Sequence, residues 1–308
     1  MNPKTKGYIC AAISAASYGT NPLFALPLYS DGMDTNSVLF FRYAFALILL
    51  YVMIKARGRN LKTSFRAMPS MLLLGVLMAI SSITLFQSYN YMEAGIASTI
   101  LFVYPIMVAI IMAVFYKERV SMQTVVCISL ALIGIVLLYH GKGEATLSIT
   151  GMMLVLASSL SYAIYIVLVN RPPVDQVPTI VMTFYILLVG LTIFFISSHF
   201  GADLQMPHHP IKWINVLALA AFPTCVSFVC ITYATQYIGA TQTAILGALE
   251  PVTAVFFGVT VFGETLTMRI VSGMLLILLA VTLIIAGGNV SATLIRFRKM
   301  FPRVLKKR

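Results

Sequence analysis

Ten stretches of mostly apolar residues, each close to the length that crosses a bilayer's hydrocarbon core, follow one another along this 308-residue chain. A helix of about 20 residues spans that core with its backbone hydrogen bonds satisfied within the segment. Polar or Gly/Pro-rich breaks divide the chain into Gly7–Leu26, Val38–Ile54, Met68–Tyr91, Ala94–Tyr116, Gln123–Tyr139, Ile149–Asn170, Thr179–Ser198, Trp213–Gln236, Ala240–Phe262 and Met268–Gly287. With 60% hydrophobic residues, 10% charged residues and a mean hydropathy of +0.95, too little polar surface remains to cover a soluble globule of this size. The pattern predicts an all-α membrane protein with ten transmembrane helices. The first run follows Lys4 and Lys6 as a leader would, but it carries polar residues and a proline, and it recurs later in the chain, so it is kept as a spanning helix.

The net charge of +12 resides between the apolar runs and in the tail after residue 290, with no aromatic-interleaved basic domain, so nucleic acid is not an expected partner. Placing the N-terminus inside assigns seventeen of the 21 Lys and Arg to the inner side. Only Lys142, Lys212 and Arg269 fall outside, and Arg42 lies within the second run. The positive-inside bias therefore predicts a multi-pass protein of the cell membrane with both termini cytoplasmic. The tail from Arg296 to Arg308, basic with apolar residues between, suits the anionic inner leaflet of the lipid bilayer. The four cysteines lie inside apolar runs without metal-ligand or disulfide spacing, and the four histidines fall at run ends or in one loop. No metal and no cofactor is expected.

The two halves of the chain repeat one another. At an offset of 144 residues Gly7, Ser14, Ser17 and Tyr18 fall on Gly151, Ser158, Ser161 and Tyr162; at 146, Tyr91, Ala94, Pro105 and Glu118 fall on Tyr237, Ala240, Pro251 and Glu264. Each half holds five runs, an odd number, so the second copy must enter the membrane upside down. This gives two inverted five-helix repeats, residues 1–145 and 146–290, followed by a basic cytoplasmic tail, 291–308. Inverted repeats of this kind are the usual architecture of secondary transporters, with the substrate site near mid-membrane between the copies.

The two matching segments, Tyr104-Pro105 through Lys117-Glu118-Arg119 and Leu249-Glu250-Pro251 through Gly263-Glu264, resemble the drug/metabolite transporter superfamily, specifically its ten-helix EamA-type members. Glu-Pro, then about a dozen mostly apolar residues, then Gly-Glu is typical of that family's second copy, and Arg42 sits where its members often carry an arginine. The first copy departs by having Lys117 where a glycine is common, a change expected to matter little. The resemblance covers the whole chain and implies a central cavity and export or exchange of small metabolites, without a particular substrate.

Glu250 is the foremost candidate site residue, a carboxylate at depth beside a helix-breaking proline. It is expected to bind a cationic or amine-bearing substrate or to take up a proton; the bland alternative is a packing acid bonded to a neighbouring helix. Thr243 shares its helical face, and Tyr104 is its neutral repeat mate. Tyr18 and Asn21 on the first helix, and Tyr162 and Tyr165 on the sixth, are expected on opposite walls of one cavity, though a single Ser/Thr face is as often helix glue. Gln87 and Asn90 on the third helix, and Tyr233 and Gln236 on the eighth, complete the substrate-binding set, with Gln87 and Tyr233 the deeper pair. Arg42 either snorkels outward to pair with Asp31 or Asp34, or holds a substrate carboxylate, in which case a zwitterion such as an amino acid fits between it and Glu250. Prolines 22, 105, 223 and 251 mark places for helices to bend. The expected partners are thus a small-molecule substrate and the bilayer, with a homodimer allowed. A membrane-embedded enzyme is the alternative class, but the runs hold no Gly-x-Ser-x-Gly, no histidine at depth and no carboxylate pair.

Overall fold

The computed structural model describes residues 3–117 except 59 and 62, then 122–139, 148–169, 172–174, 177–238, 243 and 246–283. The loop residue Glu118, the side chain of Gln236 and the basic tail lie outside them. Among the described residues the chain is helical without strands. In chain order the helices are α1 (Pro3–Gly19), α2 (Asn21–Tyr29), α3 (Thr35–Ala56), α4 (Met68–Ser88), α5 (Ala94–Leu101), α6 (Tyr104–Tyr116), α7 (Met122–Tyr139), α8 (Ile149–Val169) and α9 (Thr179–Ser197). They continue with α10 (Trp213–Ala220), a π-helical turn (Ala221–Val226), α11 (Ser227–Ile238), α12 (Leu249–Phe262) and α13 (Met268–Leu283).

Seven of the resulting segments are long and apolar enough to cross a membrane, and three shorter apolar helices accompany them. Large apolar side chains such as Val52, Leu72, Phe115, Leu132, Ile196 and Phe256 stand exposed around the outside. That much apolar surface is a liability in water and what a lipid-facing belt requires. The chain is a multi-pass membrane protein.

Each predicted proline site departs from regular helix. The first span breaks at Thr20, before Asn21-Pro22 opens α2. The fourth breaks at Phe102-Val103, before Tyr104-Pro105 opens α6, and the ninth breaks at Gly247-Ala248, before α12 begins at Leu249. Proline lacks an N–H and is best accommodated in a helix's first turn, so each of the three starts a new half-helix. Pro223 instead lies inside the π-turn, where the ladder widens by one residue per turn.

Packing runs mostly between the halves. The helix α1 lies along α11, and α8 lies along α4. The two contacts are repeat mates and carry the same bonds. Ser14 donates to the Ser227 carbonyl at 2.9 Å, with the two hydroxyls 3.1 Å apart; Ser158 donates to the Ser81 carbonyl at 2.7 Å, with those hydroxyls 3.0 Å apart. A third tie joins α5 to α12. Glu264, just beyond α12, accepts from the Ala94 and Gly95 amides at 2.9 and 3.3 Å and so caps α5 from the other half. Gly258 makes room for it, since a Cβ there would stand 2.1 Å from the Glu264 carboxylate. Burial pushes the Glu264 carboxyl above the usual carboxylate range; the Ala94 amide opposes that rise and the nearby Glu93 adds to it.

The helix ends differ between the halves. Both Lys117 after α6 and its repeat mate Gly263 after α12 occupy the left-handed region, with φ of 55° and 69°. A glycine does so freely, whereas a lysine pays roughly 1 kcal/mol. The expectation that Lys117 matters little is therefore corrected.

Candidate functional site

A cavity of about 200 Å³ lies between the halves, lined by Ser14 and Tyr18 of α1, Ser81 of α4, Tyr104 of α6, Tyr162 of α8, Ser227 of α11, and Thr243, Gly247 and Glu250 around the break before α12. Apolar residues including Ala11, Met78, Ile166 and Ile231 complete the wall. Because α12 starts at Leu249, Glu250 falls in its first turn, where the helix dipole and free amides favour negative charge. Its carboxylate has no hydrogen bond among the described residues, so its acceptor sites face the cavity. Opposite it, the Tyr104 ring meets the Tyr162 ring edge-on at 4.8 Å, and Tyr162 stacks on Tyr165 at 5.7 Å. Such contacts fix the rings and aim their hydroxyls.

Five of the residues singled out from the sequence thus meet in one place: Glu250, Tyr104, Tyr18, Tyr162 and Thr243. Tyr165 backs the wall through Tyr162 without lining it. Asn21 is buried at the break of the first span, where its amide donates to the Tyr18 carbonyl at 2.9 Å; its Oδ1 has no partner among the described residues.

Other expectations are corrected. Gln87 and Asn90 line a second, polar cavity of about 450 Å³ with Tyr29, Asp34, Asn36 and Gln205, away from Glu250. Tyr233, expected at depth, stands exposed, stacked on Tyr237 at 6.4 Å and accepting from Arg57 at 3.3 Å. Helical spacing groups residues on one face but does not say which neighbour that face meets, and the α11 face carrying Tyr233 turns away.

Arg42 does not snorkel. It is 5% exposed, donates from Nε to Thr224 Oγ1 at 3.1 Å, and lies 5.1 Å over the Phe86 ring. The aspartates expected to pair with it have other partners: Asp34 caps α3 through the Asn36 and Ser37 amides, and Asp31 accepts from the His208 and His209 amides. Arg42 lines neither cavity. Its ring partner Phe86 precedes Gln87 of the second cavity, and its chain neighbour Tyr43 meets Ser82, next to Ser81 of the first, hydroxyl to hydroxyl at 2.7 Å. Tyr29 in turn donates to the Phe86 carbonyl at 3.0 Å. Arg42, Phe86, Tyr43 and Tyr89 are all buried.

Sequence reasoning missed Ser81 and Ser227 as wall residues. The 146-residue offset that relates them was the available signal.

Residues 5–140 and 149–286 each match the EamA-like transporter family. An uncharacterized transporter of Archaeoglobus fulgidus is 30% identical over 281 residues, 89% of this chain and 94% of the relative. The uncharacterized transporter YdfC of Bacillus subtilis is 26% identical over 277 residues, 88% and 85% of the two chains. A crystal structure sharing 16% identity superposes with a TM-score of 0.65 over 91% of this chain and 96% of the other, a likeness of fold.

Proposed function

As the chain belongs to the EamA-like transporter family, we propose that it is a secondary transporter that carries a small amine or zwitterion, such as an amino acid, by alternating access in export or exchange. The observation that carries this reading is the Glu250 carboxylate, which opens a half-helix and presents unbonded oxygens to a cavity walled by hydroxyls. A substrate ammonium bonds to Glu250 with charge assistance, while the hydroxyls of Tyr18, Tyr104 and Tyr162 and the nearby serines receive a carboxylate or other polar group. Glu250 is also the group that takes up a proton when the substrate leaves, which links transport to a pH gradient.

The charge bias supports cytoplasmic termini and a location in the cell membrane. With that orientation, Ala11, Ile166 and Ile231 of the lining lie toward the cytoplasmic ends of their helices, and the buried Arg42 and Phe86 lie toward the outer ends. That arrangement supports reading this as an inward-facing form. The reciprocal serine contacts and the paired half-helices support residues 1–145 and 146–290 as inverted copies that rock about the cavity.

The test is counterflow in proteoliposomes against a panel of amines, amino acids and neutral metabolites, with and without a pH gradient. Wild-type protein should exchange an amine or zwitterion, and Glu250→Gln should lower that exchange by about tenfold or more and abolish its response to the gradient. Exchange confined to neutral or anionic solutes and unchanged by Glu250→Gln would sink the reading.

A further inference from the structure

A buried guanidinium is costly without a counter-charge, because its hydration must be replaced by something fixed. Of the five N–H groups that an arginine carries, Arg42 engages one among the described residues, in the bond to Thr224, and the Phe86 ring supplies a cation–π contact. No carboxylate forms an ion pair with it among the described residues. The charge is held in place by weak partners, and its position is what they preserve.

Through Phe86 and Tyr43 that position adjoins residues of two cavities, each of which holds a carboxylate: Glu250 in one and Asp34 in the other. Both draw cations in. The layer between is not apolar throughout, since Tyr18 and Tyr29 line the two cavities and Asn21 Oδ1, without a partner among the described residues, is buried next to the bond that its amide makes to the Tyr18 carbonyl. Polar groups spaced through a seal offer protons and small cations a path whenever water enters.

We propose that Arg42 is the cation barrier of this seal, a fixed positive charge that stops protons and alkali cations from crossing between the two carboxylate-bearing cavities. A guanidinium suits the task because it stays protonated at every working pH, whereas a lysine there keeps its charge at neutral pH and loses it as pH rises. Pore-lining arginines act against protons and cations in the same physical way. Thr224 then has a stated purpose: the π-turn around Pro223 carries its hydroxyl, which bonds both the Leu219 carbonyl and Arg42 Nε.

The experiment needs no transported substrate, so it is independent of the reading of the Glu250 cavity. Purified wild-type, Arg42→Gln, Arg42→Met and Arg42→Lys proteins are reconstituted into vesicles holding a trapped pH-sensitive dye. Potassium with valinomycin sets an inside-negative potential, and proton entry is followed; chloride release is measured in parallel. Wild-type vesicles and, at neutral pH, Arg42→Lys vesicles should be as tight as protein-free ones. Arg42→Gln should speed proton entry by about tenfold with chloride release unchanged, and Arg42→Met should do so to a smaller extent, because its apolar chain dewets the gap. Arg42→Met also fills the site with apolar atoms and so supplies a folded neutral variant if Arg42→Gln does not yield monodisperse protein. Tight vesicles with a monodisperse neutral variant would overturn the proposal. So would equal leakage of protons and chloride, which would mean loosened packing, or leakage through Arg42→Lys equal to that through Arg42→Gln.

Discussion

The pair α1·α11 and the pair α8·α4 are built on the same serine contact, yet only the first is bent. On one side Pro22 breaks the span after α1, and Pro223 widens the turn before α11. On the other, the repeat mates Ile166 and Leu77 lie within uninterrupted α8 and α4. The shared serines fix where the helices of each pair touch, while the two unshared prolines decide what happens beyond that point. Regular helix would carry the chain straight past the cavity. The bent pair instead turns Thr224 onto Arg42 and buries Asn21 under Tyr18. The asymmetry of the cavity, charged at Glu250 and neutral at Tyr104, is thus accompanied by an asymmetry of backbone on the side that holds Arg42.

The sharpest way to break this comparison is at Gly19, whose repeat mate is Ala163. A Cβ at Gly19 would stand 2.5 Å from the Glu250 carbonyl oxygen and 2.7 Å from Thr253 Cβ, so α1 approaches α12 more closely than a side chain allows. Gly19→Ala should destabilise the protein by about 1–3 kcal/mol, read from thermal unfolding in detergent, and displace Glu250 enough to lower transport. Ala163→Gly should cost less, about 1 kcal/mol, through helix propensity alone. Equal effects would mean that the two sides are not packed differently.

A smaller effect sharpens the likeness. Double-mutant cycles on Ser14→Ala with Ser227→Ala, and on Ser158→Ala with Ser81→Ala, should return similar couplings of about 1 kcal/mol each. A coupling present in only one pair would show that the shared contact is geometric rather than energetic.

Smallest is the helix-end difference. Lys117→Gly should raise stability by up to about 1 kcal/mol, making the first copy resemble Gly263, and should leave transport unchanged. No gain in the unfolding midpoint would rule out strain at that φ.

Much of this could be read in the sequence, because the signals were local or periodic. A proline carries its own backbone consequence, so the bends at 22, 105, 223 and 251 were legible one by one. The offset of 144 to 146 residues related Ser14 to Ser158 and placed Tyr104 opposite Glu250 before any helix was packed. What was not legible depends on which faces meet. Gln87 and Tyr233 sit at corresponding positions in α4 and α11, yet one borders the second, polar cavity and the other lies against Arg57. Arg42 was misjudged for a related reason: its depth suggested a reach to Asp31 or Asp34, and nothing in the sequence announced that a π-turn would bring Thr224 within 3.1 Å. The cap on α5 was equally hidden, since Glu264 reads as the end of its own helix.

That cap bears on how the protein is made. The Ala94 and Gly95 amides find their acceptor 170 and 169 residues further along the chain. When the first five spans leave the ribosome and enter the bilayer, Glu264 has not been synthesised, and the start of α5 must rely on water or lipid headgroups at the surface. Biogenesis therefore passes through a stage in which the amino-terminal half is inserted but unfinished, and a loop made much later completes it.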